Sequence, residues 1–269
     1  MGVGDVTAIL GIDAAWTPHH PSGVALVARD AQRWRCVKVA PSYRAFLDAA
    51  DGRAVEWDSD VVVDGPPDPH ALLDASRRLL RGMEVAVVTI DMPIATKRVE
   101  ARRCADRRIS REFGAAWCST HSPTPTRPGE IGRLLTDGFV SAGYPVAVAG
   151  VAPAQRALVE VYPHPALLAL TGATQRLPYK LGKAGRTWAT VRPEWEKILG
   201  ALRTRIDGIE LALPASAPMS KLKRWEDAID ALVCAWVGIE YVEGRARAFG
   251  DDTAAIWCPT GPASAPLSG

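Results

Sequence analysis

Residues Val85 to Ile94 read VAVVTIDMPI. From Val85 to Ile90 the run is apolar apart from Thr89, without the alternation of a half-exposed strand. That continuity predicts a strand buried on both faces, as in the middle of a parallel sheet. The run ends on a carboxylate, Asp91, and Pro93 stops it because proline has no N–H to donate to a ladder. VTAILGID, from Val6 to Asp13, has the same form: a short apolar strand closed by an aspartate. Ser22 to Ala28 and Trp34 to Val39 are β-rich runs joined by the polar turn Arg29 to Arg33, giving a three-strand meander with hairpin spacing.

Outward from these strands the period changes. Pro69 to Arg81 places Leu72, Leu73, Leu79 and Leu80 at helical spacing. Glu100 to Phe113, Glu130 to Ala142, Pro165 to Leu170 and Trp188 to Arg205 read as further helices, and Trp225 to Arg247 as the longest. Ala157 to Tyr162 and Thr253 to Trp257 read as strands. Asp51 to Asp68, acidic and broken by Gly65-Pro66-Pro67, reads as a solvated insertion. A hairpin followed by alternating helices and strands predicts an α/β domain with a mixed sheet covered by helices. Nothing splits the chain, so residues 1–260 read as one domain. Within it, 98–150 form an insertion between the fourth and fifth strands, and the Pro/Ser/Gly-rich 261–269 form a flexible tail.

At 269 residues, 48% hydrophobic and 23% charged, the chain can bury a substantial core. A net charge of +2 neither demands nor excludes a polyanionic partner, so nucleic-acid binding would need locally concentrated cations. The five cysteines are scattered and form no C-x-x-C pair, and the histidines form no H-E-x-x-H, so zinc and a disulfide framework are not indicated. Met1 to Asp5 lacks the features of a secretory signal and the apolar runs are too short to span a bilayer. The expectation is a cytoplasmic protein with no membrane partner.

The carboxylates carry the chemistry. If the strands ending in Asp13 and Asp91 are parallel neighbours, two acids meet at one sheet edge, which is costly unless a proton or cation neutralises them. Asp227 and Asp230, three apart in a helical pattern, share a face beside the apolar Ala231 and Leu232. Such a cluster suits Mg²⁺ or Mn²⁺, as one or two ions. Glu160, between Val159 and Val161 in a strand, is a fifth acid directed either to the site or to a salt-bridge partner. Singly, each aspartate could also cap a turn or a helix.

Basic residues crowd the chain after Asp91. Arg103, Arg107 and Arg111 fall on one helical stripe, with Arg102 beside it, and could hold phosphates. Glu100, Asp106 and Glu112 could instead balance them on a solvated helix. Lys180, with Tyr179, Lys183 and Arg186, forms a second basic patch. Trp16, directly after the Asp13 strand, is the tryptophan placed to meet a ligand, while Trp195, Trp225, Trp236 and Trp257 read as core.

Asp13 in GIDAAW, Asp91 in TIDMPI, Glu160 in EVYPHP and the run EDAIDALVCAW from Glu226 to Trp236 resemble the domain-of-unknown-function family 429. R-R-C-A-D from Arg102 to Asp106 resembles a pattern of the same family. The resemblance runs in order from about Gly11 to about Gly238. It implies a ribonuclease H-like fold with a five-stranded sheet ordered 3-2-1-4-5, strand 2 antiparallel. It also implies a divalent-metal-dependent nuclease acting through Asp13, Asp91, Glu160, Asp227 and Asp230. The D-x-x-D-A-L element is similar to the last helix of the resolvase RuvC. Two other readings keep the fold: a non-catalytic nucleic-acid or ligand-binding module, and a phosphotransferase, which the absence of a glycine-rich phosphate loop disfavours. DNA or RNA, endo- or exonuclease action, and oligomeric state are not encoded in these motifs.

Overall fold

The computed structural model describes residues 7–17, 20–57, 64, 66–183 and 185–261. In chain order the elements are β1 (Ala8–Asp13), β2 (Gly23–Asp30), β3 (Arg33–Ala40), α1 (Tyr43–Ala50), α2 (Pro69–Leu79), β4 (Val87–Ile90), α3 (Cys104–Phe113) and α4 (Glu130–Ser141). They continue with β5 (Ala157–Val161), α5 (Pro163–Thr171), α6 (Trp188–Arg203), β6 (Ile206–Asp207), α7 (Met219–Val242), β7 (Ala246–Gly250) and β8 (Ala255–Pro259).

The strands form one mixed sheet in the order β6-β3-β2-β1-β4-β5-β8-β7. The run β3-β2-β1-β4-β5 has the anticipated order, with β2 antiparallel to β1 and β3. The anticipated count of five is corrected to eight. Edge strand β6 is two residues long, too short to show a period, and pairs with β3. The opposite edge, β7, occupies residues that extend the helical pattern of α7. Gly244, at φ +72, turns the chain there into a left-handed conformation and lets it return as a strand. β8 pairs with β5 and β7.

Period-two alternation divides the core between the sheet's faces. Ile9, Val27, Val87 and Val159 face α5, α6 and α7, whereas Leu10, Ile12, Val88 and Ile90 face α1, α2 and α4. A smaller cluster joins Ala105 and Ile109 of α3 to Phe249 and Ile256. The two helices within 98–150 thus both cover the sheet. Helix α3 starts at Cys104 rather than Glu100, because Arg103 takes an extended conformation at its N-cap. The anticipated tail lies outside the described residues from 262 onward, as do His19, Asp58 and Asp60.

The acidic stretch is corrected at Asp64. That side chain is buried and accepts from the backbone N–H groups of Ser22, Tyr43 and Arg44 at 3.0–3.1 Å. Ser22 Oγ in turn accepts from Ala15 N–H at 3.0 Å. A carboxylate with three backbone donors anchors both the start of α1 and the loop that follows β1.

Helix α7 is 24 residues long, and its run from Arg224 to Tyr241 is buried throughout. It lies on β1 and β2 at backbone contact. A Cβ on Gly11 would come within 2.4 Å of Ala231 O and 2.5 Å of Ala235 N, and one on Gly23 within 2.0 Å of Asp227 O. Residues 227, 231 and 235, four apart, are the stripe that touches the sheet. Gly11→Ala should therefore destabilise the fold by at least about 2 kcal/mol, because the clash is with backbone rather than a yielding side chain. Gly200→Ala, on α6 with nothing within 4 Å, should stabilise it by roughly 0.5–1 kcal/mol. Urea denaturation of the two variants checks the contrast, and equal midpoints would refute the close-contact account.

Candidate functional site

Ile12 pairs with Ile90 in the parallel β1/β4 ladder, and Asp91 N–H donates to Ile12 O at 2.9 Å. Asp13 and Asp91 are therefore side by side at the carboxyl ends of adjacent strands. Both continue the side-chain phase of Ile9 and Gly11 or Val87 and Thr89, which faces α7. Asp13 also pairs with Gly23 on β2, the glycine over which Asp227 crosses. One helix and two strand ends thereby gather Asp13, Asp91, Asp227 and, one turn along α7, Asp230.

Two lysines enter this cluster. Lys223 pairs with Asp227 and, at 2.8 Å, with Glu226. Lys180 pairs with Asp230 and approaches Glu226 at 3.5 Å. The segment carrying Lys180 is strapped to α7. Tyr179 Oη donates to Asp230 Oδ1 at 2.7 Å, Leu181 N–H donates to Glu226 Oε2 at 2.5 Å, and Trp195 Nε1–H donates to Tyr179 O at 2.8 Å. Asp13 and Asp91 differ from the helix acids: among the described residues neither side chain accepts a hydrogen bond or forms an ion pair.

Burial dominates the electrostatics. It pushes Asp13 up to about 7 against the attraction of Lys180, with Asp227 reinforcing the rise. Burial likewise raises Asp91 well above the ordinary range, and the Asp13 charge adds to it. Asp227 rises to about 6 despite Lys223, and Asp230 to about 6 despite Lys180. Glu226 goes the other way: burial would raise it, but Lys180 and Lys223 together hold it below its usual value. Five acids and two ammonium groups share this corner, so it is short of positive charge.

Asp13, Asp91, Asp227, Lys180 and Lys223 line a cavity of about 460 Å³, with Trp16, Arg127 and His121 on its outer wall. Arg127 lies over the Trp16 ring at 5.6 Å from its centroid. A second cavity of about 440 Å³ adjoins it, sharing Trp16, Asp91, Arg127 and Lys180. Asp230 lines neither cavity, being fully buried beneath Lys180 and Tyr179.

Residues 146–255 match the model of a family described as "Protein of unknown function (DUF429)". No curated protein and no solved structure matches the chain. The matched stretch contains Glu160, Lys180, Lys223, Asp227 and Asp230, while Asp13 and Asp91 precede it.

Glu160 lines the second cavity beside Asp91 but lies on the other face of the sheet, paired with one of the predicted arginines. Glu160 pairs in register with Ile90, so its side chain leaves the face opposite Asp13 and Asp91. Arg103 binds it bidentately at 2.5 and 2.6 Å and binds Asp106 at 2.8 Å, and Ile94 N–H donates to Glu160 at 3.0 Å. Burial pushes Glu160 up to about 7 against the pull of Arg103. The anticipated stripe of Arg103, Arg107 and Arg111 is corrected accordingly, because Arg103 is buried against Glu160. Arg102 donates to Ser122 at 2.9 Å and to Ser110 at 2.5 Å, fastening α3 to the following loop. Arg107 is exposed and donates to Arg102 O at 2.9 Å. Neither Arg102 nor Arg107 lines either cavity.

Sequence reasoning missed Arg127, Arg176 and His164 as cavity residues. Arg127 and Arg176 stand in loops, where no periodicity marks a direction. Trp117 was missed too: it is 66% exposed with φ +62, in a turn tied to the site loop by Arg176 N–H donating to Ala116 O at 2.9 Å.

The raised acids make a stability prediction. A carboxyl whose folded pKa is raised stabilises the fold while protonated, and that contribution is lost as pH rises through about 7, the value at Asp13. Asp13→Asn should thus raise the melting temperature at pH 8, by roughly 2–4 °C for each kcal/mol relieved. The gain should shrink toward pH 5. A calorimetric scan at both pH values checks this, and an offset independent of pH would contradict it.

Proposed function

We propose that the chain is a divalent-metal-dependent hydrolase of phosphodiester bonds, a nuclease of ribonuclease H-like architecture whose reaction centre is the Asp13/Asp91 pair. The observation that carries this reading is that pair itself: two acids at neighbouring parallel strand ends, facing a cavity, with no partner among the described residues.

Among the described residues no three His, Cys, Asp or Glu side chains are arranged to share a metal. Asp227 and Asp230 do not fit as free ligands, because Lys223 and Lys180 engage them. Asp13 and Asp91 do fit one hard cation, since Mg²⁺ characteristically uses one or two carboxylates and completes its shell with water and substrate phosphate oxygens. Mg²⁺ or Mn²⁺ held there would neutralise the paired acids and supply a bound water of lowered pKa.

The chain's own residues account for the rest. Arg127 and Lys223 on the cavity wall offer counter-charge to a phosphodiester, and Trp16 offers an apolar face beside it. Lys180 is held by Asp230 and Glu226 so that its ammonium stays charged: burial opposes this, and Asp230, Tyr179, Asp13 and Glu226 together outweigh it. In the hydrolysis a water oxygen bonds to phosphorus and the ester P–O bond breaks. The products are a phosphate monoester and an alcohol that takes up the proton.

A second reading has one observation in its favour. Lysines already satisfy the helix acids, as would suit a phosphate-binding module without turnover. Isothermal titration of Mg²⁺ and Mn²⁺, followed by cleavage assays on single- and double-stranded DNA and RNA, separates the two. The hydrolase reading expects metal binding and metal-dependent cleavage in the wild type, both lost in Asp13→Asn and Asp91→Asn. Metal binding should weaken below pH 7, by up to about tenfold per unit for each proton displaced, because a protonated carboxyl is not a ligand. Cleavage by Asp13→Asn at the wild-type rate would refute the assignment, and phosphate binding without turnover would favour the module.

A further inference from the structure

The second cavity extends from Asp91 toward α5 and the loop before α6. Its wall includes Tyr162, His164, Arg176 and Lys183. Much of the arginine complement of this chain is spent on carboxylates: Arg33, Arg44, Arg53, Arg133 and Arg245 all pair with Asp or Glu. Arg176 and Lys183 form no ion pair among the described residues, yet both border this cavity. Lys183 is exposed and Arg176 half-buried.

His164 adds an independent sign of a ligand. Its side chain is 94% removed from solvent, at 6% relative exposure, and its Nδ1 has no hydrogen-bond partner. Buried polar atoms in native structures are nearly always paired with protein, water or ligand, so an unpaired one on a cavity wall calls for an explanation. The ring is fixed between two aromatic neighbours, edge-on to Tyr162 at 5.3 Å and to Tyr179 at 5.6 Å. It stands in the first turn of α5, where the helix contributes positive potential. Burial, with Arg176 and Lys180 nearby, drives the imidazole well below the ordinary histidine value. A neutral ring has one N–H to donate, and it reaches an anion when the ring turns Nδ1, sealed in this structure, toward the cavity.

We propose that this second cavity is a subsite for a phosphate monoester, with Arg176 and Lys183 as counter-charges and His164 Nδ1–H as the buried donor. A dianion with several acceptor oxygens satisfies two cations and one N–H at once. Of the three acids that line this cavity, Glu160 and Asp106 are committed to Arg103, which leaves Asp91 as the acid without a partner among the described residues. Because the two cavities share Asp91, Trp16 and Lys180, a terminal phosphate seated here leaves the next ester linkage near Asp13 and Asp91. The substrate class that follows, resting on the hydrolase reading, is a nucleic-acid strand carrying a terminal phosphate.

The test has two arms. In the first, inorganic phosphate and adenosine monophosphate are titrated calorimetrically into metal-free protein. Arg176→Gln and Lys183→Gln should each weaken binding by about tenfold, one lost charge-assisted contact being worth that order. His164→Phe should weaken it further, and Asp13→Asn should leave it unchanged or tighter. Circular dichroism establishes that each variant is folded, and the exposed Lys183 keeps the test valid if Arg176 proves structural. Binding equal in wild type, Arg176→Gln and Lys183→Gln, or absent in wild type, overturns the subsite. In the second arm, oligonucleotides with 5′-phosphate, 3′-phosphate or hydroxyl ends are compared with Mg²⁺ present. A tenfold or greater preference for one phosphorylated end, lost in Lys183→Gln, supports the end-group assignment, and equal cleavage of all three overturns it. Phosphate binding that depends on Arg176 and Lys183 without cleavage of any strand would retain the subsite and sink the hydrolase reading alone.

Discussion

Because Gly11 and Gly23 present no side chain to α7, the helix rests its backbone on β1 and β2, and the geometry of the site follows from that contact. Asp227 is delivered over the register partner of Asp13, and Glu226 and Asp230 flank it on the same turn. A larger residue at either position would lift the helix by the width of a methyl group and open the cluster to water. Close packing therefore serves an electrostatic end: it removes the acids from solvent, which strengthens every charge interaction among them.

The chain answers the resulting deficit of positive charge with a loop. Tyr179, Lys180 and Leu181 lie across the acidic turn of α7, and Trp195 fixes the strap from behind by its bond to Tyr179 O. An uncompensated buried acid is far more costly than a paired one, so α7 and the strap depend on each other. A division of labour results. The helix acids hold lysines in place, whereas the strand acids form no ion pair among the described residues and, on the proposed reading, are the ones left to a cation. The same residue type thus plays two parts, decided by whether it lies within reach of residues 180 and 223.

How much of this could be read from the chain follows from where periodicity exists. The apolar runs ending in Asp13 and Asp91 carry the central parallel pair on their surface, because a strand buried on both faces needs no alternation. The pairing of those acids then follows from strand adjacency alone. Glu160 was legible as a charged residue inside a strand, but alternation sends it to the opposite face, and only the β4/β5 register shows which face that is. Arg103 illustrates the converse. A stripe of arginines looks the same on paper whether it faces solvent or a buried glutamate, and the one local sign of the N-cap that turns Arg103 inward is Asp106, three residues on, which accepts from the Arg103 N–H. Lys180, Arg127 and Arg176 belong to loops, whose direction is set by what they dock against. The edge strands were lost for another reason: β6 is too short for a period, and β7 continues a helical pattern that only the left-handed Gly244 interrupts.

The placement of charge in the cleft also constrains how it would be filled. The floor is acidic at Asp13 and Asp91, and the rim is cationic at Arg127, Arg176, Lys183 and Lys223. A phosphate drawn by the rim is repelled by an ionised floor, and a cation on the floor is held more weakly when the rim alone surrounds it. On the proposed reading, each therefore relieves the cost of binding the other, through direct Coulomb attraction across the cleft and by displacing protons from the raised carboxyls. Thermodynamic linkage makes that coupling reciprocal: whatever factor the cation adds to phosphate affinity, phosphate adds to cation affinity. A pair of acids too few to form a complete metal cage is then sufficient, because the substrate brings the remaining oxygen ligands and the charge that binds them.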